Sequence, residues 1–527
     1  MSADIVGGSV HTSQFSSVDI PSGSISDFAL RQADRLEDKC AIVDANSDAA
    51  LTYAELRAGA RSLSGGLTRW GAGRGSVVAI LAPNIIEYPL VFHGVAMGGR
   101  TLTTLNPLYT PGEIREQLSA SGALILFTVA ALADKAREAA LLTAVRGVVV
   151  IGENEEAEGL IPWSTFDRGS ASPDVALDLH HDLVALPYSS GTTGLPKGVM
   201  LTHRNLLANI VAVDAVVPLR EDDVVLAVLP FFHIYGLNVI MNPALAAGAT
   251  MIVMQRFDVE TYLRTIAERG VTVLFAAPPM VLALAQSPLV GEFDLSSVRW
   301  LMSSAAPLDP TTAASAERKL GCTVFQAYGM TEASPGVFAN RPEDSGPIDS
   351  VGRLVPGLEC RVVDPSSGAD LGVNVDGEIL IRGPQIMKGY LDNEESTRAA
   401  FDELGYYRSG DIGHVDEEGR WYIVDRVKEL IKYKGYQVAP AQLEAILLSH
   451  PNVADAAVVG VPAGDDGESP KAYVVRNAPV DSDELIDFVS AQVAPYKRVR
   501  AIEFISEIPR SATGKILRRV LRGRDSS

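Results

Sequence analysis

Residues 188–198 read YSSGTTGLPKG, five hydroxyl side chains and three glycines gathered around a single lysine, Lys197. Glycines let successive backbone N–H groups turn toward one point, and hydroxyls add further donors around an anion. Lys197 contributes a compact positive charge suited to phosphate oxygens. The stretch follows an apolar, strand-like LVALP. It therefore reads as a triphosphate cradle built from Ser189, Ser190, Gly191, Thr192, Thr193, Gly194 and Lys197. It is not a Walker A loop, because G-x-x-x-x-G-K-[ST] is absent.

Any phosphate must be held locally, because the chain as a whole is acidic. Its 45 Lys and Arg against 65 Asp and Glu leave a formal net charge of -20. A nucleic-acid or anionic-membrane surface calls for the opposite field, so neither is an expected partner. The three cysteines, Cys40, Cys322 and Cys360, lie far apart with no C-x-x-C spacing and are expected as reduced thiols. The histidines show no metal-ligand spacing, and the adjacent His180 and His181 cannot share a helix face.

The first residues carry neither a basic n-region nor an apolar h-region, and their Ser and Gly content predicts a flexible arm over 1–22. RGRDSS at the other end is not a peroxisomal S-K-L type signal, and the Ala- and Val-rich composition points to a cytoplasmic location. From Val224 to Gln255 there is no formally charged side chain, long enough to span a bilayer. Pro230, His233, Asn238, Asn242, Pro243 and Gly248 interrupt it, so buried strands with a helical run between them are expected instead of membrane insertion.

The elements that must position the cradle alternate along the chain. SVVAIL (76–81), ALILFT (123–128), GVVVIG (147–152), DVVLAVLP (223–230), TMIVM (250–254) and VTVLFA (271–276) read as strands. Helical spacing fills 133–145 and 258–269, which predicts an α/β fold with parallel sheets. Shorter strands with Gly and Asp turns take over at 350–425 and predict a small antiparallel barrel or sheet. A polar hinge, DRVKE, then leads into a small α+β domain. The expected division is a large domain over 23–425 and a small mobile domain over 426–527. At 527 residues, roughly three or four folding units are expected.

Seven motifs in order carry a family resemblance: YSSGTTGLPKG, LPFFHIYGLN (229–238), SSAAPL (303–308), QAYGMTEASPG (326–336), YRSGDIG (407–413), DRVKELIKYKGYQVAP (425–440) and PRSATGKILRR (509–519). From about residue 22 to 522 the chain resembles the adenylate-forming superfamily of acyl-CoA synthetases, luciferases and peptide-synthetase adenylation domains. Within it, the 4-coumarate:CoA ligases are the most similar. The resemblance implies the family's fold and a two-step reaction. A carboxylate attacks the α-phosphate of ATP to give an acyl-adenylate and pyrophosphate, and coenzyme A thiol then displaces AMP. The implied co-substrates are ATP and coenzyme A, with Mg2+ as the metal and an aryl acid as the small-molecule partner, in a monomer or homodimer.

The roles that follow are implied by that resemblance. Lys197 and its loop would grip pyrophosphate, and Glu332 would ligate magnesium, a hard cation suited to a carboxylate. Thr331 would touch the α-phosphate region, and Gln326, Ala327, Tyr328 and Gly329 would line the adenine. Asp411 would accept both ribose hydroxyls with Arg426 in support. Lys515 would clamp carboxylate and α-phosphate during adenylation, the small domain pivoting at Lys428 to insert it. In the second pose Lys434 and Gly435 would approach CoA, with Arg256 standing where plant relatives carry a phosphate-linked lysine. Lys432 and Gln437 would touch AMP or substrate.

On the acid side, His233 resembles a pocket gate and Tyr235 the tyrosine that reaches a hydroxycinnamate's phenol. Met302, Ala305, Gly329, Pro335 and Gly336 would complete the pocket. Gly336 stands where plant ligases usually carry valine, and Val239 where a smaller residue is common. The glycine is expected to enlarge one wall enough for methoxylated rings. Rival readings are a fatty acyl-CoA synthetase or luciferase-like enzyme, which shares the nucleotide motifs, and a non-catalytic nucleotide-binding protein. A peptide-synthetase domain is disfavoured because FFHIYG lacks the pocket aspartate of that branch.

Overall fold

The computed structural model describes residues 10–152, 160–167, 175–189, 196–434, 436–464, 467–511 and 514–524. The apolar β-branched runs form two mainly parallel sheets. In the first, Val77–Leu81 lies between Thr101–Leu105 and Ile125–Thr128, and the ladder continues through Gly147–Val150 to Leu160–Pro162. On the other flank Leu183–Ala185 leads to the antiparallel pair Lys197–Thr202 and Tyr188–Ser189. The two described ends of the glycine-rich stretch are thus paired strands.

The second sheet sets Val224–Ala227 between Thr250–Val253 and Val273–Ala276, all parallel. It continues through Trp300–Ser303 to Thr323–Gly329, then turns antiparallel at Gly336–Ala339 and Arg353–Leu354. Val225, Leu226, Met251 and Ile252 of the uncharged segment are buried in this sheet, as parallel strands covered on both faces must be. Among the described residues no helix is long and apolar enough to cross a membrane. The run between the two strands is helical in two steps, a π-helical turn Gly236–Met241 followed by the α-helix Asn242–Ala247. Such π-turns concentrate at functional sites.

Helix His203–Asp214 follows the strand Lys197–Thr202 with no intervening loop, because Thr202 is also the N-cap. Its side chain accepts from Asn205 N–H, and Asn205 Oδ1 accepts from Thr202 N–H in return. Such a reciprocal box satisfies two donors that would otherwise be orphaned. Leu206, Leu207 and Ile210 anchor this helix in the core, which aims its far end at the second sheet.

One expectation is narrowed and one is corrected. Of the barrel or sheet expected, the described strands form a linear antiparallel sheet, His11–Thr12, Glu359–Val363, Gly377–Arg382, Tyr407–Val415 and Trp421–Arg426. Among the described residues no ladder joins the two edge strands, and the His11 ring lies edge-on to Trp421 at 5.6 Å. The arm expected to be flexible over 1–22 is docked from its first described residues. His11 pairs with Cys360, Ser13 Oγ donates to Leu354 O, and Arg341 covers the Phe15 ring. Backbone pairing and an aromatic anchor outweigh the Ser and Gly content that argued for looseness.

After Arg426 the chain builds a separate small domain. Its hairpin Ile431–Tyr433 and Tyr436–Val438 precedes a sheet of Val453–Pro462, Glu468–Arg476 and Ala501–Phe504, with helices Pro440–Leu448, Ser482–Ser490 and Arg518–Arg524. Ile431, Leu443, Leu447, Val458, Val474, Leu485 and Val489 form its own core, distinct from the large one. At the junction a small apolar cluster, Ile412 with Leu430 and Ala439, joins the two. A unit with its own core and a narrow apolar junction can move as a body.

Candidate functional site

Three strands deliver the polar end of the cleft. Asp411 and Arg426 sit directly opposite each other on paired strands, and Arg426 Nε lies 2.8 Å from Asp411 Oδ1. Tyr328, near the end of Thr323–Gly329, donates its hydroxyl to Asp411 Oδ2. Burial and the Asp411 charge push the Tyr328 phenol well up, while the same carboxylate raises Arg426. A carboxylate has about four acceptor positions, and among the described residues each Asp411 oxygen has one side-chain partner, which leaves one position per oxygen. Two adjacent hydroxyls are what that pair of positions fits. Behind it Tyr328 stacks on Phe338 at 5.5 Å and Phe338 on Trp421 at 4.5 Å, which fixes the phenol's plane.

Glu332 is buried in the one-turn helix Thr331–Ala333, with Thr331 half-exposed beside it. Its Oε1 accepts from Ser189 Oγ at 2.8 Å and from the Tyr390 hydroxyl at 3.1 Å. Burial and this carboxylate push the Tyr390 phenol up. Lys197 Nζ stands 5.0 Å over the Tyr390 ring. Lys428 is depressed by burial and then by the nearby Lys197 charge. Lys515 is depressed by burial and by Arg426, against the opposing pull of Asp411 and Glu332. Four cations from two domains thus converge on two carboxylates, an arrangement that an incoming polyanion relaxes.

The lysine arrives on a loop that packs on the large domain. An added Cβ at Gly514 would stand 3.1 Å from Pro279 Cδ, so the loop backbone rests on the start of helix Pro278–Gln286. Lys515 also faces His233, whose pKa is lowered to about 3 by burial and then by that charge. The imidazole is therefore neutral at ordinary pH. Its Nδ1 accepts from Tyr235 N–H at 3.3 Å, which leaves the ring proton on Nε2.

The acid side is built from backbone and apolar groups. Tyr235 is buried, its ring edge-on to Phe275 at 6.4 Å and its hydroxyl donating to Met302 O at 3.3 Å. Burial pushes this phenol up. A small cavity lined by Leu229, His233, Tyr235, Ala277 and Ala305 has room for about one water. Gly236 is required beside it, because a Cβ there would lie 2.2 Å from Pro230 O. Ala305 holds a left-handed backbone, φ 79°, on this wall. That conformation is uncommon for a residue bearing a Cβ and marks a tightly constrained turn.

The structure specifies two of these side chains and revises the expectation for a third residue. The Gln326 amide is engaged within the protein: its Oε1 accepts from Leu308 N–H at 2.8 Å and its Nε2 donates to Ile348 O at 2.7 Å. It holds the turn after SSAAPL in place. Tyr235 already donates its proton to Met302, so toward a substrate phenol it can act as acceptor. Gly336 does not enlarge the pocket as expected, because a Cβ there would meet Val213 Cγ2 at 2.7 Å. Val213 fills the space the missing side chain leaves.

Lys432, Lys434 and Arg256 are exposed and contribute nothing to the charges acting on Lys515. Lys434 reaches over the Tyr433 ring at 5.4 Å, and Arg256 acts on Asp258. Ala327 and Gly329 flank Tyr328 on its strand, and Pro335 precedes the strand Gly336–Ala339. Val239 and Met302 are buried against each other's cavity wall. Ser190, Gly191, Thr192, Thr193, Gly194 and Gly435 lie outside the described residues, as does the side chain of Gln437.

Other residues hold the site from behind, one of them, Asn238, at the end of the LPFFHIYGLN motif. Asn209 clamps Gly336 from helix His203–Asp214, donating to Gly336 O at 2.8 Å and accepting from its N–H at 3.3 Å. Asn238 donates to Ser334 O at 2.7 Å. The available signal was an amide inside an apolar helix, as in LLANIVAV, which is costly to bury unless it has a partner. Tyr390 had no comparable signal.

With this geometry in hand, comparison with known proteins is informative. The pattern of the AMP-binding enzyme family matches residues 30–391, and that of the AMP-binding enzyme C-terminal domain matches 442–515. A 4-coumarate--CoA ligase of Pinus taeda is 41% identical over 507 residues, 94% of each chain. ATP-bound MatB from Rhodopseudomonas palustris superposes with a TM-score of 0.86 at 30% identity, covering 95% of this chain and 98% of that one. A benzoate CoA ligase from Burkholderia xenovorans LB400 gives 0.86 at 25% identity, covering 95% and 100%.

Proposed function

The chain belongs to the AMP-binding enzyme family as an acid–thiol ligase of the adenylate-forming superfamily, and from that premise we propose that it joins a hydroxycinnamate-type aryl acid to coenzyme A through an acyl-adenylate. The observation that carries the reading is Lys515, brought from the small domain into the field of Asp411, Glu332 and Arg426 beside His233.

In the first step a carboxylate oxygen bonds to the α-phosphorus while the bond to the β-phosphate oxygen breaks and pyrophosphate leaves. Two anions must approach, so their repulsion has to be neutralised and the attack held in line. Lys515 supplies a positive charge at the meeting point, with Lys197 and Lys428 near the leaving group. Asp411, oriented by Arg426 and Tyr328, holds the ribose. Glu332 has Oε1 tied to Ser189 and Tyr390, and its Oε2 has no partner among the described residues. A buried carboxylate with one open oxygen fits magnesium, which when bound supplies charge neutralisation at the phosphate oxygens.

In the second step the CoA thiol gives up its proton, its sulfur bonds to the acyl carbon, and AMP leaves with the electron pair of the broken carbon–oxygen bond. Lys515 has no part in this step and would occupy the thiol's approach, so the small domain has to turn about Lys428. Lys434 and Gly435, with Arg256 on the large domain, are the groups proposed to meet CoA afterwards.

The aryl reading rests on the acid wall. Tyr235 offers an acceptor to a ring hydroxyl in a cramped cavity whose walls, His233 apart, are otherwise apolar. The test is an acid panel with ATP and CoA, following AMP and thioester. Preferred turnover of 4-coumarate over hexanoate-type acids is expected. Preference for the aliphatic acids would contradict the aryl assignment, and absence of pyrophosphate release with any acid would contradict catalysis.

A further inference from the structure

Behind the ring end of the acid site lies a second cavity, lined by Ile210, Val213, Val217, Val239, Phe275 and Met302. It shares Val239 and Met302 with the expected ring-binding wall, and Phe275 meets Tyr235 edge-on. It has room for about one water-sized group. Val213 stands between this cavity and the Gly336 backbone, its Cγ2 2.7 Å from where a Cβ of residue 336 would be.

We propose that Val213 is a specificity-determining residue of this ligase, closing the ring end of the acid pocket against a reserve cavity that takes a neutral substituent on the aryl ring, such as a methoxy group beside the phenol. The inference rests on the aryl-acid reading above. It reassigns to Val213 the wall position that the sequence pattern placed on residue 336. Gly336 cannot yield to a larger ring, because Asn209 and Gln385 both donate to its carbonyl, at 2.8 and 3.1 Å. Val213 is half-buried on the last turn of its helix, where a smaller side chain disturbs little packing. Asp214 at the cavity's edge makes it unsuited to an anionic substituent.

The test compares kcat/KM for 4-coumarate and ferulate in the full-length enzyme. Val213→Ala removes two methyl groups from the wall, and the ferulate-to-coumarate ratio is expected to rise about tenfold, the low end of what a methylene in an apolar pocket contributes. Gly336→Ala places a methyl against Val213 and is expected to lower activity on both acids. In the Val213→Ala background the same substitution is expected to do at least threefold less harm, since residues in contact are not additive. A purely structural role for Val213 would produce the coupling, which follows from the contact alone, but would leave the ratio unmoved. A ratio unchanged within twofold would overturn the proposal while leaving the aryl reading intact. A parent enzyme inactive on both acids but active on aliphatic ones would overturn both.

Discussion

On the polar side of the cleft, Asp411, Glu332 and Tyr328 are each tied to a charged or phenolic partner on another strand. On the acid side the walls are set by backbone carbonyls and methyl groups, and amides such as Asn209 hold the backbone from behind. The polar groups carry chemistry common to any acid, and each carboxylate is fixed by specific donors, Arg426 and Tyr328 on Asp411 and Ser189 and Tyr390 on Glu332. The acid walls carry selectivity, which is a matter of volume and of one hydrogen bond, and several side chains can serve there. The contrast predicts that substitutions on the polar side reduce turnover of every acid together, whereas those on the acid side redistribute preference.

The largest effect is expected at Glu332. Glu332→Gln removes the buried charge proposed to hold magnesium, and adenylation by pyrophosphate exchange should fall by roughly 10²-fold or more, since even outer partners of a metal ligand cost about 10–100-fold. Uniform loss across the acid panel supports the division, and selective loss breaks it. Tyr390→Phe deletes one donor to Glu332 Oε1 and should cost about tenfold, visible as a raised magnesium requirement.

Tyr235→Phe should lower the coumarate-to-cinnamate preference about 5- to 10-fold with cinnamate turnover little changed, because one buried hydrogen bond contributes about 1 kcal/mol. Equal loss for both acids would mean that the phenol only anchors Met302.

The pH profile sharpens the same division. Burial and Arg426 depress Lys515 below its usual range, and the clamp needs the charged form. Adenylation should therefore show an alkaline limb below the ordinary lysine pKa, moving upward as ATP saturates and its anions favour the ammonium. Thioester formation from supplied acyl-adenylate should lack that limb. His233, lowered to about 3, should contribute no limb to either half-reaction between pH 5 and 9.

Legibility in the sequence follows the same contrast. The strands at 76–81 and 223–230 were readable because continuous β-branched runs have few alternatives to a buried parallel sheet. Asp411, Glu332 and Lys515 stood out because a charged residue within a small-residue motif has a narrow set of uses. Motif position, however, does not fix side-chain direction. Gln326 belongs to its motif yet faces inward to Leu308 and Ile348, and Gly336 looked like an opening until the helix ending at Asp214 brought Val213 against it. Asn209 and Tyr390 act across more than 50 residues of chain, and such contacts exist only once the sheets are assembled. The docked arm was misread for a similar reason: its partner strand, Glu359–Val363, lies far along the chain.

The central claim is that the small domain lends one ammonium group to the first chemical step and removes it before the second. The direct measurement is Lys515→Ala, followed separately through pyrophosphate release and through thioester formation from synthetic 4-coumaroyl-AMP. The account predicts a fall of roughly 10²–10³-fold in the first, the loss expected for a charge-stabilising donor, with the second nearly unchanged. Equal losses in both half-reactions would contradict it.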